Sequence, residues 1–371
     1  MNDLTGIACS SSSLCFAAGT SYLRGPDGYS AYQTLIDRWN GSSWSIVDSP
    51  NGASKENHLF RVSCASSTLC FAVGYEGPYV PNGHVLIERW DGGAWTIVSP
   101  PRIAGAQNSL LSDVQCFSST LCFAIGQYLP SGAFVNLQGL IEQWDGRSWT
   151  VKPDVHEGVL DAVSCASAFL CFAFGVDYTY ETGHEVQHSI TERWDGSIWR
   201  VVASGLGDVR SEVLSASCAN ETLCFASGYT GYGQAPDSPM IEAWDGKSWR
   251  LVSAPQPSVP VSATRVDDQL VSVSCASGSF CLAVGWHRWS TPQTALSDTL
   301  VERWDGISWT IVRSPNGSPS PGSNNALMAV ACPTKSRCMA IGHYDAPDGY
   351  FQVLAELWNG TSLSVVRSAN R

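Results

Sequence analysis

The sequence predicts an all-β fold: a β-propeller of seven blades, each a sheet of four antiparallel strands. Three observations predict it. First, a unit of about 50 residues recurs seven times, as a propeller blade does; its cysteine pairs fall 55, 52, 49, 53, 57 and 57 residues apart. Second, each unit holds four short runs of β-branched and aromatic residues, bounded by Ser, Gly and Asp-Gly signals. Third, no window sustains a 3.6-residue apolar period, so almost no helix is expected. A unit this small cannot bury its own apolar faces, so the copies must stack in a ring. The whole chain, 1–371, is then one domain, with approximate repeats 1–50, 51–101, 102–153, 154–204, 205–254, 255–314 and 315–371.

The second copy, Arg61 to Pro100 with its lead-in, shows the elements in order. Strand A is Leu59 to Cys64, strand B Leu69 to Gly74, strand C Val85 to Trp90 and strand D Trp95 to Val98. The A–B link is a tight C-x5-C turn, and the C–D link a tight Asp-Gly turn, Asn-Gly in the first and last copies. Both read as hairpins. Antiparallel order then puts both tight turns on one face of the ring and the longer B–C and D–A links on the other. Blades built from one contiguous copy each, and blades joining C–D of one copy to A–B of the next, both satisfy the pattern; the first is favoured.

All 14 cysteines fall into seven pairs of one spacing: Cys9/Cys15, Cys64/Cys70, Cys116/Cys122, Cys165/Cys171, Cys218/Cys224, Cys275/Cys281 and Cys332/Cys338. Cysteines flanking a tight turn face each other at bridging distance, so seven hairpin disulfides and an oxidising compartment are expected. Buried free thiols in a cytosolic protein are the alternative. Two Cys per blade without His at ligand spacing cannot complete a zinc site, and no metal or cofactor is expected.

Paired Trp residues bracket the second turn: Trp39/Trp44, Trp90/Trp95, Trp144/Trp149, Trp194/Trp199, Trp244/Trp249 and Trp304/Trp309; Trp358 faces Leu363. They can pack across the hairpin, and the turn Asp can accept backbone N–H bonds. An acid stands two residues before the first Trp in every copy: Asp37, Glu88, Glu142, Glu192, Glu242, Glu302 and Glu356. Seven like acids lack the asymmetry of a catalytic pair and are expected to make hydrogen bonds or ion pairs between blades.

These motifs carry a resemblance. Cys70-Phe71-Ala72-Val73-Gly74 resembles the second strand of a kelch repeat, with one Gly where kelch usually has two. Glu88-Arg89-Trp90-Asp91-Gly92 followed by Trp95 resembles the kelch Tyr-Asp turn and its Trp. The spacing is similar in all seven copies, which implies a kelch-like seven-bladed propeller. The chain is also similar to a group of bacterial repeat proteins with V-S-C…C-x-A-V-G and W-N/D-G-x-x-W signatures. The W-D-G-x-x-W unit further resembles the WDG motifs of bacterial and fungal propeller lectins, which implies sugar sites at those turns; structural packing is the competing role.

Function has to come from what differs between copies. All 12 Tyr lie between the end of strand B and the start of strand C, as do the two Trp outside the turns, Trp286 and Trp289. All seven His lie in the B–C or D–A links. Tyr and Trp offer a flat apolar face and a polar tip, which suits sugars. Carbohydrate binding on the long-loop face is therefore expected, with Tyr75, Tyr79, Tyr229, Tyr232, Trp286, Trp289 and Tyr344 as contacts. A glycoside hydrolase or polysaccharide lyase with a central pocket is the first alternative, and a protein-interaction scaffold the second. No nucleophile-elbow, zinc-protease, P-loop or dinucleotide motif appears, and catalytic residues stay unassigned.

Charge narrows the partners. With 21 basic and 33 acidic residues the formal charge is -12. That disfavours nucleic acid. No apolar run is long enough to span a bilayer, so no membrane insertion is expected. No basic start followed by an apolar stretch is visible, so an exported or cell-surface protein would need a leader outside this sequence.

Overall fold

A computed structural model describes residues 2–24, 30–78, 83–133, 136–152, 158–181, 184–205, 211–231, 237–259, 263, 265–292, 295–317, 324–346 and 350–369. These residues form 28 strands, β1 to β28, in seven antiparallel four-stranded sheets, and no helix. Each sheet uses four consecutive strands in chain order. The blades are therefore contiguous copies, and no strand is shared across the join.

The first blade comprises β1 (Asn2–Ser11), β2 (Leu14–Arg24), β3 (Ser30–Trp39) and β4 (Trp44–Val47). The other A strands are β5 (Asn57–Ser66), β9 (Ala106–Ser118), β13 (Val159–Ser167), β17 (Ser211–Asn220), β21 (Arg265–Ser277) and β25 (Asn325–Thr334). Each packs on the A strands of both neighbouring blades, and β1 meets β25, so the seven ring the axis. At the join Leu4, Ile7, Trp39 and Trp44 share a core with Met339, Ile341 and Val353. Arg337 Nη2 also donates to the Gly41 carbonyl at 3.1 Å.

All seven predicted disulfides form, with Cα–Cα separations of 3.9 to 4.1 Å. The two cysteines of a pair differ in burial. The second cysteine of every pair is core: Cys15, Cys70, Cys122, Cys171, Cys224, Cys281 and Cys338 are each 2% exposed or less. The cause is their place on strand B, which is covered on both edges by strands A and C. Each stands opposite the first Trp of its own blade, as Cys15 does Trp39, Cys122 Trp144, Cys171 Trp194, Cys224 Trp244, Cys281 Trp304 and Cys338 Trp358. These seven are framework and cannot meet a ligand. Their partners on strand A pack in the same cores with somewhat more exposure, Cys116, Cys165 and Cys332 at 6 to 8%, and all but Cys116 also line the axial cavity.

Asp91 accepts N–H bonds from Gly93 at 2.8 Å and Ala94 at 3.0 Å, which hold its carboxyl below the usual range. Trp90 Nε1 donates to the Ser67 carbonyl in the disulfide turn at 3.1 Å. The two tight turns of a blade are thereby tied together; Trp144, Trp194, Trp244, Trp304 and Trp358 repeat the bond.

The Trp pairs pack at a tilt across their hairpins, as at Trp90 and Trp95 with centroids 5.9 Å apart. Their larger role lies between blades. Phe71, which follows the second Cys of its blade, packs against Trp144 at 5.0 Å and Trp149 at 4.9 Å in the next blade. Phe16, Phe123, Phe172 and Phe225 do the same. The cysteine motif of one copy is thus completed by the tryptophan motif of the following copy.

Every A strand bulges at one position against strand B: Thr5, Phe60, Ser112, Asp161, Leu214, Val271 and Met328 are the extra residues. Opposite each bulge stands the last residue of the C-F-A-V-G run. A Cβ on Gly74 would lie 2.0 Å from the His58 carbonyl oxygen, and the other six glycines are as crowded. The single Gly is the residue that lets a bulged strand approach this closely.

Candidate functional site

On the long-loop face the B and C strands run further than their β-forming residues suggest. In blades 1, 4 and 6 they continue as hairpins: β2 with β3, β14 (Leu170–Glu181) with β15 (His184–Trp194), and β22 (Phe280–Ser290) with β23 (Ala295–Trp304). Many residues expected in loops therefore sit on strands, where register decides which way they face.

That register separates the predicted contacts. Tyr75 is 9% exposed, stacked on His58 at 4.7 Å and packed against Phe60 at 5.7 Å. Tyr229 is 8% exposed and donates its hydroxyl to Glu212 Oε2 at 2.6 Å. Trp286 and Trp289 stand three apart on β22, hence on opposite faces of the sheet. Arg288 lies over Trp286 at 5.9 Å, and His287 stacks on Trp289 at 4.8 Å. Tyr344 is half-buried against the core of the last blade. Tyr79 and Tyr232 lie outside the described residues. The five described contacts belong to blades 2, 5, 6 and 7, and no ring contact joins one blade's to another's among the described residues.

A different aromatic row does converge. Tyr22 meets Tyr32 at 5.3 Å, Tyr32 meets His58 at 4.8 Å, and His58 stacks on Tyr75. The row crosses from blade 1 to blade 2. Tyr32 is pinned by its N–H to the Lys55 carbonyl at 2.9 Å and is 36% exposed. His58 accepts from or donates to Thr20 Oγ1 at 3.3 Å, and burial lowers its pKa against a smaller opposing pull from Glu56. Sequence reasoning counted Tyr32 and His58 among the long-loop residues but did not join them, because their contact depends on how two blades abut.

Blade 6 holds a buried acid–imidazole pair. His287 Nδ1 and Asp268 Oδ1 are 2.5 Å apart, with side chains 9% and 3% exposed. Among the described residues His287 Nε2 is buried with no hydrogen-bond partner.

The constant acids are buried between blades. Ser49, in the link after blade 1, donates to Glu88 in blade 2 at 2.9 and 3.0 Å; Ser314 does the same for Glu356 at 2.8 Å. Both serines stand five residues after the preceding blade's Trp95-type position. Pro100 and Ala254 occupy that place before Glu142 and Glu302, and both carboxyls lack a hydrogen-bond partner among the described residues. Burial pushes Glu88, Glu142 and Glu302 up to about 8, and Glu242 and Glu356 to about 7. The expected hydrogen bonds between blades thus form at Glu88 and Glu356.

The axis is not empty of chemistry. At the disulfide-turn end the A strands enclose a cavity of 280 Å³. Its wall is stitched from blade to blade. Ser63, Ser164, Ser217 and Ser274 each accept the N–H of a cysteine in the next blade, at 2.9 to 3.0 Å. Ser215 and Ser272 accept from Val273 and Val330 at 3.2 and 3.1 Å. Asp113, at the same repeat position in blade 3, accepts from Val163 at 2.8 Å through Oδ2 and from Val114 at 2.8 Å through Oδ1.

Arg61 occupies that position in blade 2. It lies deep in the ring yet keeps surface toward the cavity. Its Nη1 donates to the carbonyls of Thr5 and Phe60. Burial lowers its pKa, opposed by Asp113 and Asp161. Burial raises Asp113 to about 6 and, helped by Glu212 and Asp113, Asp161 to about 7.

No family model matches the chain, and no curated protein matches it. Solved structures do. An ulvan lyase of polysaccharide lyase family PL25, bound to a GlcA–Rha3S saccharide, is similar at TM-score 0.55 and 8% identity, over 96% of this chain and 92% of that one. The β-propeller domain of the trilobed protease from Pyrococcus furiosus, described as having an open velcro topology, gives 0.54 and 8% over 98% and 95%. Sqt1 from Chaetomium thermophilum gives 0.50 and 10% over 99% and 87%. At such identities the likeness concerns the fold.

Proposed function

We propose that this propeller binds carbohydrate on its long-loop face and works in an oxidising compartment, exported or at the cell surface. The observation that carries the reading is the Tyr22–Tyr32–His58–Tyr75 row, within which the partly exposed Tyr32 ring is flanked by Tyr22 and His58. A sugar stacks on such a ring by its apolar face while its hydroxyls reach polar edges. Trp286, Trp289 and Tyr344 supply further aromatic surface in blades 6 and 7, and Tyr75 and Tyr229 serve by holding their neighbours in place. The seven disulfides support the compartment. One structural neighbour is a lyase bound to a saccharide; at 8% identity it adds only that a related fold houses such a ligand.

A glycan array followed by calorimetry tests the proposal. The wild-type protein is expected to bind at least one glycan, and Tyr32→Ala to weaken binding about tenfold, near the ~1–1.5 kcal/mol of one aromatic contact. A folded protein that binds no glycan would end the reading.

A second reading, a glycoside hydrolase or lyase, has the Asp268–His287 pair behind it. A carboxylate that orients an imidazole is half of a proton-transfer device. It predicts new chain ends from a bound polysaccharide, and their loss in His287→Ala.

A further inference from the structure

The axial cavity has donors left over. Each of its six serine hydroxyls already accepts an N–H from the next blade, and none has an acceptor for its own hydrogen among the described residues. Those six hydrogens are therefore available to something inside the ring. Arg61 is the basic residue of the wall. It uses Nη1 alone, on two backbone carbonyls, and among the described residues no carboxylate is in ion-pair contact with it. Asp113, the acid of the wall, has both oxygens occupied by backbone N–H groups. A guanidinium deep in the ring, with donors left over toward the cavity, is matched by a guest that accepts from it.

A wall of surplus donors fits an acceptor-rich, negatively charged guest. Its size follows from the volume. The cavity's 280 Å³ lies just under the roughly 300 Å³ at which small-molecule pockets begin. That suits one sugar-sized molecule, too small a space for a chain and too large for a bare oxyanion. We propose that the disulfide-turn end of the axial channel is a binding site for a single sugar acid, with its carboxylate on Arg61 and its oxygens on the serine ring. The planar fork of an arginine matches a carboxylate in two bonds. This site is separate from the long-loop face, and neither proposal depends on the other.

Calorimetry and amide NMR with D-glucuronate, D-glucose and sulfate test it. Glucuronate is expected to bind one-to-one and to shift the amides of Cys116, Val163, Cys218, Val273 and Cys275. Glucose and sulfate should each bind at least about tenfold more weakly, and Arg61→Gln should lose about tenfold or more. Ile307→Ala, at an exposed turn position outside both sites, should leave glucuronate binding unchanged. Should Arg61→Gln fail to fold, the wild-type amide map decides alone. No glucuronate binding at millimolar concentration would overturn the proposal. So would glucose or sulfate binding as tightly, or shifts confined to the long-loop hairpins.

Discussion

The two ends of the ring are built in opposite ways. At the disulfide-turn end all seven copies repeat a disulfide and an Asx-type turn, six show a Trp N–H bond across to the neighbouring turn, and five wedge a Phe between the next blade's tryptophans. Only the last two blades vary the wedge, with Leu282 and Met339 where the others carry Phe. The long-loop end is less uniform: three blades send out hairpins, an aromatic row joins blades 1 and 2, and blade 6 holds a buried Asp–His pair. The difference teaches that the closed ring is held from one end, which leaves the other free to vary. The axial wall shows the same division within a single strand position. Blades 5 and 6 use Ser215 and Ser272 for the inter-blade stitch; blade 3 keeps the stitch with Asp113, and blade 2 gives it up for Arg61.

The largest effect should come from removing what the constant end shares. A disulfide closing so short a loop contributes about 2 kcal/mol. Seven together rival the ~5–15 kcal/mol net stability of an ordinary domain. Full reduction, checked by thiol counting, is expected to unfold the protein or lower its Tm by tens of degrees in circular dichroism. Because one sulfur of each bridge is sealed in the core, reduction should need denaturant or heat to go to completion. A reduced protein melting where the oxidised one does would mean that packing alone holds this end.

A single wedge should matter less. Phe71→Ala strips contacts from Trp144 and Trp149 in a fully buried site, for an expected loss of about 3–5 kcal/mol in denaturant unfolding. Leu282→Ala, at the same position in blade 6, should cost less, because it removes a smaller side chain. Equal losses would show that neither the larger volume nor the aromatic character of the Phe wedge adds stability here.

Much of the fold was legible because each copy states it again. Repetition exposes the cysteine spacing, the turn residues and the strand runs, and antiparallel order sorts them to two faces. Contacts between copies were harder, since nothing in one period says that Phe71 belongs with Trp144. The same gap hid the unequal burial of the two cysteines in a pair, which depends on strand B lying inside the sheet. Gly74 carried a signal that went unused: a glycine at a constant strand position marks a bulge or a close backbone approach. The candidate site was less legible still. Tyr75 and Tyr229 look like loop residues until the strands are seen to continue past Gly74 and Gly228, and alternation then turns Trp286 from Trp289. Arg61 could have been found. Its place holds Gly6, Ala162, Ser215, Ser272 and Ala329 in five other copies and Asp113 in the sixth, so two charged side chains stand at a position that is otherwise small. Attention to the variable loops hid a departure in the invariant frame.

The smallest effect lies at the seam between the two regimes. The acid of Glu142 is constant in the repeat, but its partner must come from a variable link, and there Pro100 replaces the serine that serves Glu88. Burial alone raises Glu142 to about 8, against about 4.3 in an unfolded chain. Between those values the folded protein holds a proton that the unfolded chain has lost, so this group makes stability fall as pH rises, by up to about 1.4 kcal/mol per pH unit, and the fall levels off above about pH 8. Glu142→Gln keeps the shape and abolishes the titration. Urea unfolding at about pH 5, 6.5 and 8, which spans that interval, should show the variant about level with wild type at the acid end and more stable at the alkaline end. Its stability should change more gently with pH, by up to about one proton. A parallel pair of curves would mean that Glu142 is ionised in the folded protein and has found a partner that Pro100 does not provide.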